Sequence, residues 1–112
     1  MLQIQIRDVE SDITIVDVTG PLTMGRDCKQ LEWSTEELVR DNKKKIIIDL
    51  SGVNRIDSTG VGIVVTAAGQ IKQAGGQLRV CAQGHVENVL KLTSVDKVVG
   101  LHPTMDEAIS GF

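Results

Sequence analysis

Residues 43–62 read KKKIIIDLSGVNRIDSTGVG. Three lysines give way to Ile46, Ile47 and Ile48, followed by Asp49 and Leu50. A continuous β-branched run predicts a strand buried on both faces, as in a parallel sheet covered by helices. The lysines read as the solvated entrance to that strand. SGVNR is a loop, and a second apolar pattern starts beyond it. Val61, Ile63, Val64 and Val65 are β-branched and leave local propensity ambiguous. Length decides for a helix over 58–74: Val61, Val64, Ala68 and Ile71 keep helical spacing, and the AGG at 74–76 supplies a glycine stop. The helix therefore opens on two hydroxyl residues, Ser58 and Thr59, set between Asp57 and the glycines Gly60 and Gly62.

Working outward, LQIQIR (2–7) puts Leu2, Ile4 and Ile6 on one face of a strand. ITIVDVT (13–19) puts Ile13, Ile15 and Asp17 on one face and Val16 and Val18 on the other. The polar DVESD between them suits a hairpin, so these two strands are expected to be antiparallel. Gly20-Pro21 stops the second. A helix is expected over 26–41, with Leu31, Ser34, Leu38 and Asp41 on one track and Trp33 and Val39 flanking it. Further on come a strand at 77–82 with Leu78 and Val80 inward, and a short helix at 85–93 with Val86, Val89, Leu90 and Thr93 inward. A last strand follows around 98–101, and Pro103 opens a terminal helix. The order β-β-α-β-α-β-α-β-α predicts an α/β fold. Its sheet is mixed and mostly parallel, of four to five strands with one antiparallel edge, and about four helices pack on it. One domain is expected over residues 1–112.

Composition narrows the function. Twelve basic against fifteen acidic residues leave a net charge of −3, and one Trp, one Phe and no Tyr offer no stacking platform. Nucleic acid is not expected as a partner. No apolar run approaches the roughly 20 residues that span a bilayer, so no membrane insertion is expected. The N-terminal MLQIQIRDVE lacks the apolar block of a signal peptide. A cytoplasmic location is the expectation. Cys28 and Cys81 lack the spacing of a zinc site or a disulfide framework and read as buried free thiols. No metal and no cofactor is expected.

IDSTGVG (56–62) sits just past the C-terminal end of the buried strand, where open α/β sheets gather functional groups. A helix start favours anions. Asp57 or Ser58 capping the helix, with the glycines easing a tight turn, is the plain structural alternative. A nucleophilic serine needs a base and an orienter; only His85 and His102 are available, and G-x-S-x-G is absent. Neither phosphate-loop signature is present. A phospho-receiver built on Asp49 would need an acidic pair beside it, which LQIQIR does not supply. Phosphorylation of Ser58 itself fits the physics. The added charge of about −1.5 to −2 sits at the positive end of a helix, and a partner docked there would meet it.

KKKIIIDLSGVNRIDSTGVG, continued by the GGQLRV of residues 75–80, resembles the STAS domain, and the resemblance runs from ITIVDVTGPLT to TMDEAI. It is closest in character to the stand-alone bacterial anti-sigma factor antagonists. That resemblance implies a phosphorylation site at the hydroxyl after the Asp, here Ser58, with Thr59 beside it as the lesser candidate. It implies a non-enzymatic module that binds an anti-sigma factor, often a serine kinase, and releases it on phosphorylation, with a phosphatase resetting the switch. The partner-binding rim implied is Thr23, Met24, Asp57, Ser58, Thr59, Gly60 and Gly62, the glycines keeping the docking surface low. Thr23 stands where many of these antagonists carry an Asp, so the rim differs. The alternative implied is a STAS scaffold subunit of a sensory or lipid-transport assembly, with residues 57–62 as a permanent contact.

Overall fold

A computed structural model describes residues 2–25 and 27–112. Five strands form one sheet in the order β1-β2-β3-β4-β5: β1 Gln3–Val9, β2 Ile13–Thr19, β3 Lys45–Gly52, β4 Gln77–Cys81 and β5 Gly100–His102. β1 and β2 are antiparallel, with Gln3 opposite Thr19 and Val9 opposite Ile13; the other pairings are parallel. The connections carry α1 Cys28–Arg40, α2 Ser58–Gln73 and α3 Gly84–Leu92, and α4 Met105–Ser110 closes the chain. The expected mixed sheet, antiparallel edge and four helices are all present.

Strand parity sorts the core into two parts. Val16 and Val18, Ile46, Ile48 and Leu50, and Leu78 and Val80 point to one face, where α1, α2 and α3 cover them. Ile13, Ile15 and Ile47 point to the other, where Ala108 of α4 covers them with Met105 and Ile109 alongside. Ile46, Ile47 and Ile48 are all fully buried. β3 is therefore shielded on both sides, as its unbroken apolar run requires. Each such side chain contributes about 1.5–3 kcal/mol by leaving water.

Several boundaries and inward tracks differ from expectation. α1 buries Cys28, Leu31, Thr35 and Leu38; Ser34 is half-buried and Asp41 is exposed at the helix end. Thr35 takes the inward place because its hydroxyl donates to the carbonyls of Leu31 (3.2 Å) and Glu32 (2.9 Å), which leaves its methyl to pack. Residue 26, where that helix was expected to start, lies outside the described residues. α2 buries Ile63 and Ala67 in addition to Val64, Ala68 and Ile71, while Val61 is only partly covered. Ile6 is 45% exposed on the edge strand, beside an open groove that it shares with Gln30, Trp33, Ser34 and Glu37 of α1. Thr93 is exposed, its hydroxyl turned back to the Val89 carbonyl at 2.8 Å. The last strand begins two residues later than expected, since Val95–Lys97 form a 3-10 turn and Val98 is exposed. Thr104, not Pro103, starts α4: its hydroxyl accepts the Glu107 amide at 3.2 Å.

The lysine run enters β3 with each ammonium engaged. Lys43 pairs with Asp8 at 3.7 Å, Lys44 donates to the Ala74 carbonyl and Lys45 to that of Ser11 at 3.3 Å. Gly75 adopts φ +87° just past α2, the left-handed stop that AGG predicts. Cys28 and Cys81 are buried and free, as expected. Among the described residues, no helix is long and apolar enough to cross a membrane.

Candidate functional site

The site is built where β3 runs out. Val53 and Ile56 are buried and draw residues 53–57 down onto the edge of the core. A second loop, residues 20–25, lies against them. The Gly20 amide donates to the Gly52 carbonyl (3.0 Å), Leu22 to Arg55 (2.8 Å) and Asp57 to Leu22 (3.3 Å). Leu22, fully buried, forms a single parallel bridge with Ile56. Two loops far apart in the chain thus behave as one short piece of sheet.

Asp57 ends this piece and starts α2. Its backbone is extended (φ −114°, ψ −174°), the geometry of a helix N-cap. One carboxylate oxygen accepts the Gly60 amide at 3.0 Å and the other accepts the Met24 amide at 2.8 Å. Of the two capping candidates, Asp57 holds the position. Both amides favour the charged form, Met24 more strongly, and together they hold the carboxyl below its ordinary range.

With Asp57 as cap, Ser58 is the first helical residue and is exposed. Its hydroxyl makes no hydrogen bond among the described residues, so the fold does not use it. Thr59, next to it in sequence, and Thr23, in the 20–25 loop, are half-buried, and Met24 is 76% exposed. Gly62 faces open space: a Cβ there would meet nothing within 4 Å. Gly60 is different. It is buried, and a Cβ would stand 2.3 Å from the Leu22 carbonyl oxygen and 2.9 Å from Cγ1 of Ile56. Gly60 therefore faces the interior, where it lets the 20–25 loop lie flat on the helix start. The rim that faces solvent is formed by Met24, Ser58 and Gly62, with Thr23 and Thr59 partly so.

The other residues weighed from the sequence sit elsewhere in the hydrogen-bond network. His85 is exposed in the first turn of α3, and His102 is half-buried on β5. Asp49 accepts the Ser51 amide at 2.9 Å. Cys81 lies opposite Asp49 on β4, and burial pushes its thiol up. Among the described residues, no cluster of His, Cys, Asp and Glu is arranged to hold a metal ion. Two features of the site escaped the sequence reading: the bond from Met24 to Asp57, which spans 33 residues, and the close approach of Leu22 to Gly60. Leu22 follows a Gly-Pro stop, so its return to pair with Ile56 carries no local signal.

A family model described as STAS domain matches residues 4–108. The chain is 33% identical over 79 residues to a Thermotoga maritima protein named "Putative anti-sigma factor antagonist", covering 70% of each. It is also 33% identical over 82 residues to the anti-sigma-F factor antagonist RsfB of Mycobacterium tuberculosis, covering 72% of this chain and 66% of the relative. Among solved structures it is similar to an anti-sigma factor antagonist from Mycobacterium paratuberculosis. The TM-score there is 0.87 at 26% identity, over 99% of this chain and 93% of that one.

Two substitutions two residues apart are expected to act in opposite directions. Gly60→Ala forces a methyl into the Leu22 carbonyl and destabilises the domain by about 1–3 kcal/mol. Gly62→Ala removes an exposed helix glycine and stabilises it by about 0.5–1 kcal/mol. Chemical denaturation of the two variants reads both signs. Asp57 also predicts a pH dependence. Because its folded-state pKa is depressed, its contribution is present above the ordinary carboxylate range and is lost as pH falls through the folded value. The stability gap between wild type and Asp57→Ala is therefore expected to be full at neutral pH and to close in acid, as followed by denaturation at stepped pH.

Proposed function

This chain belongs to the STAS domain family, and on that footing we propose that it is an anti-sigma factor antagonist: a single-domain binding module switched by phosphorylation of Ser58. Unphosphorylated, it sequesters an anti-sigma factor, itself a serine kinase, and frees the sigma factor. Phosphorylated, it lets the anti-sigma factor go, and a phosphatase restores the serine. The protein acts in this circuit as a binding regulator, not as a catalyst, and works in the cytoplasm.

One observation carries the reading. Ser58 is exposed at the first position of a helix whose capping is already done by Asp57, so its hydroxyl is free for modification. A phosphoryl group there carries about −1.5 to −2 charges and up to three acceptor oxygens. The helix end stabilises such charge by roughly 0.3–1 kcal/mol, so the fold tolerates it. A docked partner does not. A mismatched charge in a buried interface costs about 2–5 kcal/mol, and each 1.4 kcal/mol is tenfold in affinity. The switch therefore acts on binding and leaves the domain folded. Gly62 and the half-buried Thr59 keep the surface around Ser58 low enough for a partner to approach closely.

The direct test is incubation with the anti-sigma factor kinase and ATP, followed by mass spectrometry. One phosphate on Ser58 is expected; stoichiometric label elsewhere would sink the assignment. In the same assay Ser58→Ala is expected to bind constitutively. Ser58→Asp is expected to keep a wild-type melting curve while losing the partner by at least about tenfold.

A further inference from the structure

Met24 is a large apolar side chain left 76% exposed, yet its backbone amide is bonded to a carboxylate 33 residues along the chain. Residues 20–22 are tied to residues 52–57 by three backbone hydrogen bonds. The last described tie before the side chain turns outward is the bond from the Met24 amide to the second oxygen of Asp57, at 2.8 Å. The first oxygen of the same carboxylate holds the Gly60 amide, two residues beyond Ser58. A single carboxylate thus sets the distance between Met24 and the helix start that carries Ser58.

Resting on the reading of Ser58 above, we infer that Asp57 is a positioning residue. It latches the Met24 backbone beside Ser58, so that the Met24 side chain stands preorganised as an apolar anchor for the anti-sigma factor. The partner surface this fits has an apolar socket directly next to the place that receives the Ser58 hydroxyl. The physical grounds are specific. A free loop would have to be ordered on binding, at a cost in side-chain and backbone freedom. The latch orders the backbone in advance. Methionine suits the anchor because its unbranched, polarizable chain adapts to an irregular socket. The latch requires a carboxylate in particular. Two amide donors converge on it from different loops, and an asparagine presents one acceptor oxygen and one NH2 group. Asp57→Asn must therefore release either Met24 or Gly60, and the helix cap is the stronger local preference.

The experiment is a double-mutant cycle on the full chain: Asp57→Asn, Met24→Ala and both together. Affinity is measured by calorimetry against the purified anti-sigma factor of the same organism, and amide hydrogen exchange is measured on the free protein. Asp57→Asn is expected to speed exchange of the Met24 amide at least about tenfold, and each single substitution to weaken binding roughly tenfold, the scale of a hot-spot residue. The double variant is expected to bind no worse than the weaker single variant, because the latch acts through the anchor. Multiplying losses would overturn the proposal, since they would mean that Asp57 and Met24 touch the partner independently. Wild-type affinity in Met24→Ala would overturn the anchor, and the exposure of that side chain makes misfolding no excuse. Unchanged Met24 exchange in Asp57→Asn would overturn the latch whatever the partner does. A wild-type chain that binds no anti-sigma factor would overturn the functional reading itself and the anchor with it.

Discussion

The structure depends on the double burial of β3. Ile46 and Ile48 feed the large core under α1, α2 and α3, while Ile47 feeds the small one under α4. A strand shielded on both sides must end where its shield ends. Beyond Leu50 the chain has to leave the sheet without stranding backbone groups in an apolar layer. It does so by borrowing a neighbour. The 20–22 segment runs alongside residues 52–57 and satisfies their amides and carbonyls in turn. The rim proposed to meet the partner follows from that solution. Two loops brought together to finish hydrogen bonding also bring Met24 to the start of α2.

That geometry explains why one residue type is needed at each place on the rim. Asp57 accepts two amides from different directions with one oxygen for each, whereas an amide or hydroxyl offers a single acceptor oxygen. Gly60 must lack a side chain because the Leu22 carbonyl occupies the space. Ser58, between them, has no structural duty among the described residues. The contrast is physical: the flanking residues hold the frame, and the residue in the middle is free to change its charge.

Much of this was legible beforehand. The two-faced burial of Ile46 to Ile48, the antiparallel first pair and the glycine stop after α2 all follow from patterns with a period or a run. The helix start at Ser58 was legible for the same reason, and so was the pair of residues competing to cap it. What periodicity does not encode is contact between loops. Thr35, four residues after Leu31 and three before Leu38, takes the inner face of α1 in place of Ser34 and Asp41, and its hydroxyl, bonded within its own helix, lets a polar residue be buried there. Gly60 and Gly62 look equivalent in DSTGVG, yet one is pressed against Leu22 and the other faces open space. Only the return of Leu22 to Ile56 separates them, and that pairing is non-local.

Two residues on this rim depart from what local stability favours. A helix glycine with nothing around it forgoes about 0.5–1 kcal/mol relative to alanine, and Gly62 is such a residue. A large apolar side chain held in water forgoes the roughly 1.5–3 kcal/mol that burial would give it, and Met24 is such a residue. Among the described residues a side chain at position 62 would meet nothing, and the Met24 side chain stands in water while its amide is bonded to Asp57. Under the proposed function, a flat helix start beside an exposed apolar side chain, with an unengaged hydroxyl at that helix start, is what a reversible docking surface needs. On that reading, the stability the isolated domain forgoes at these two positions is what a partner covering Met24 and lying close over Gly62 would restore.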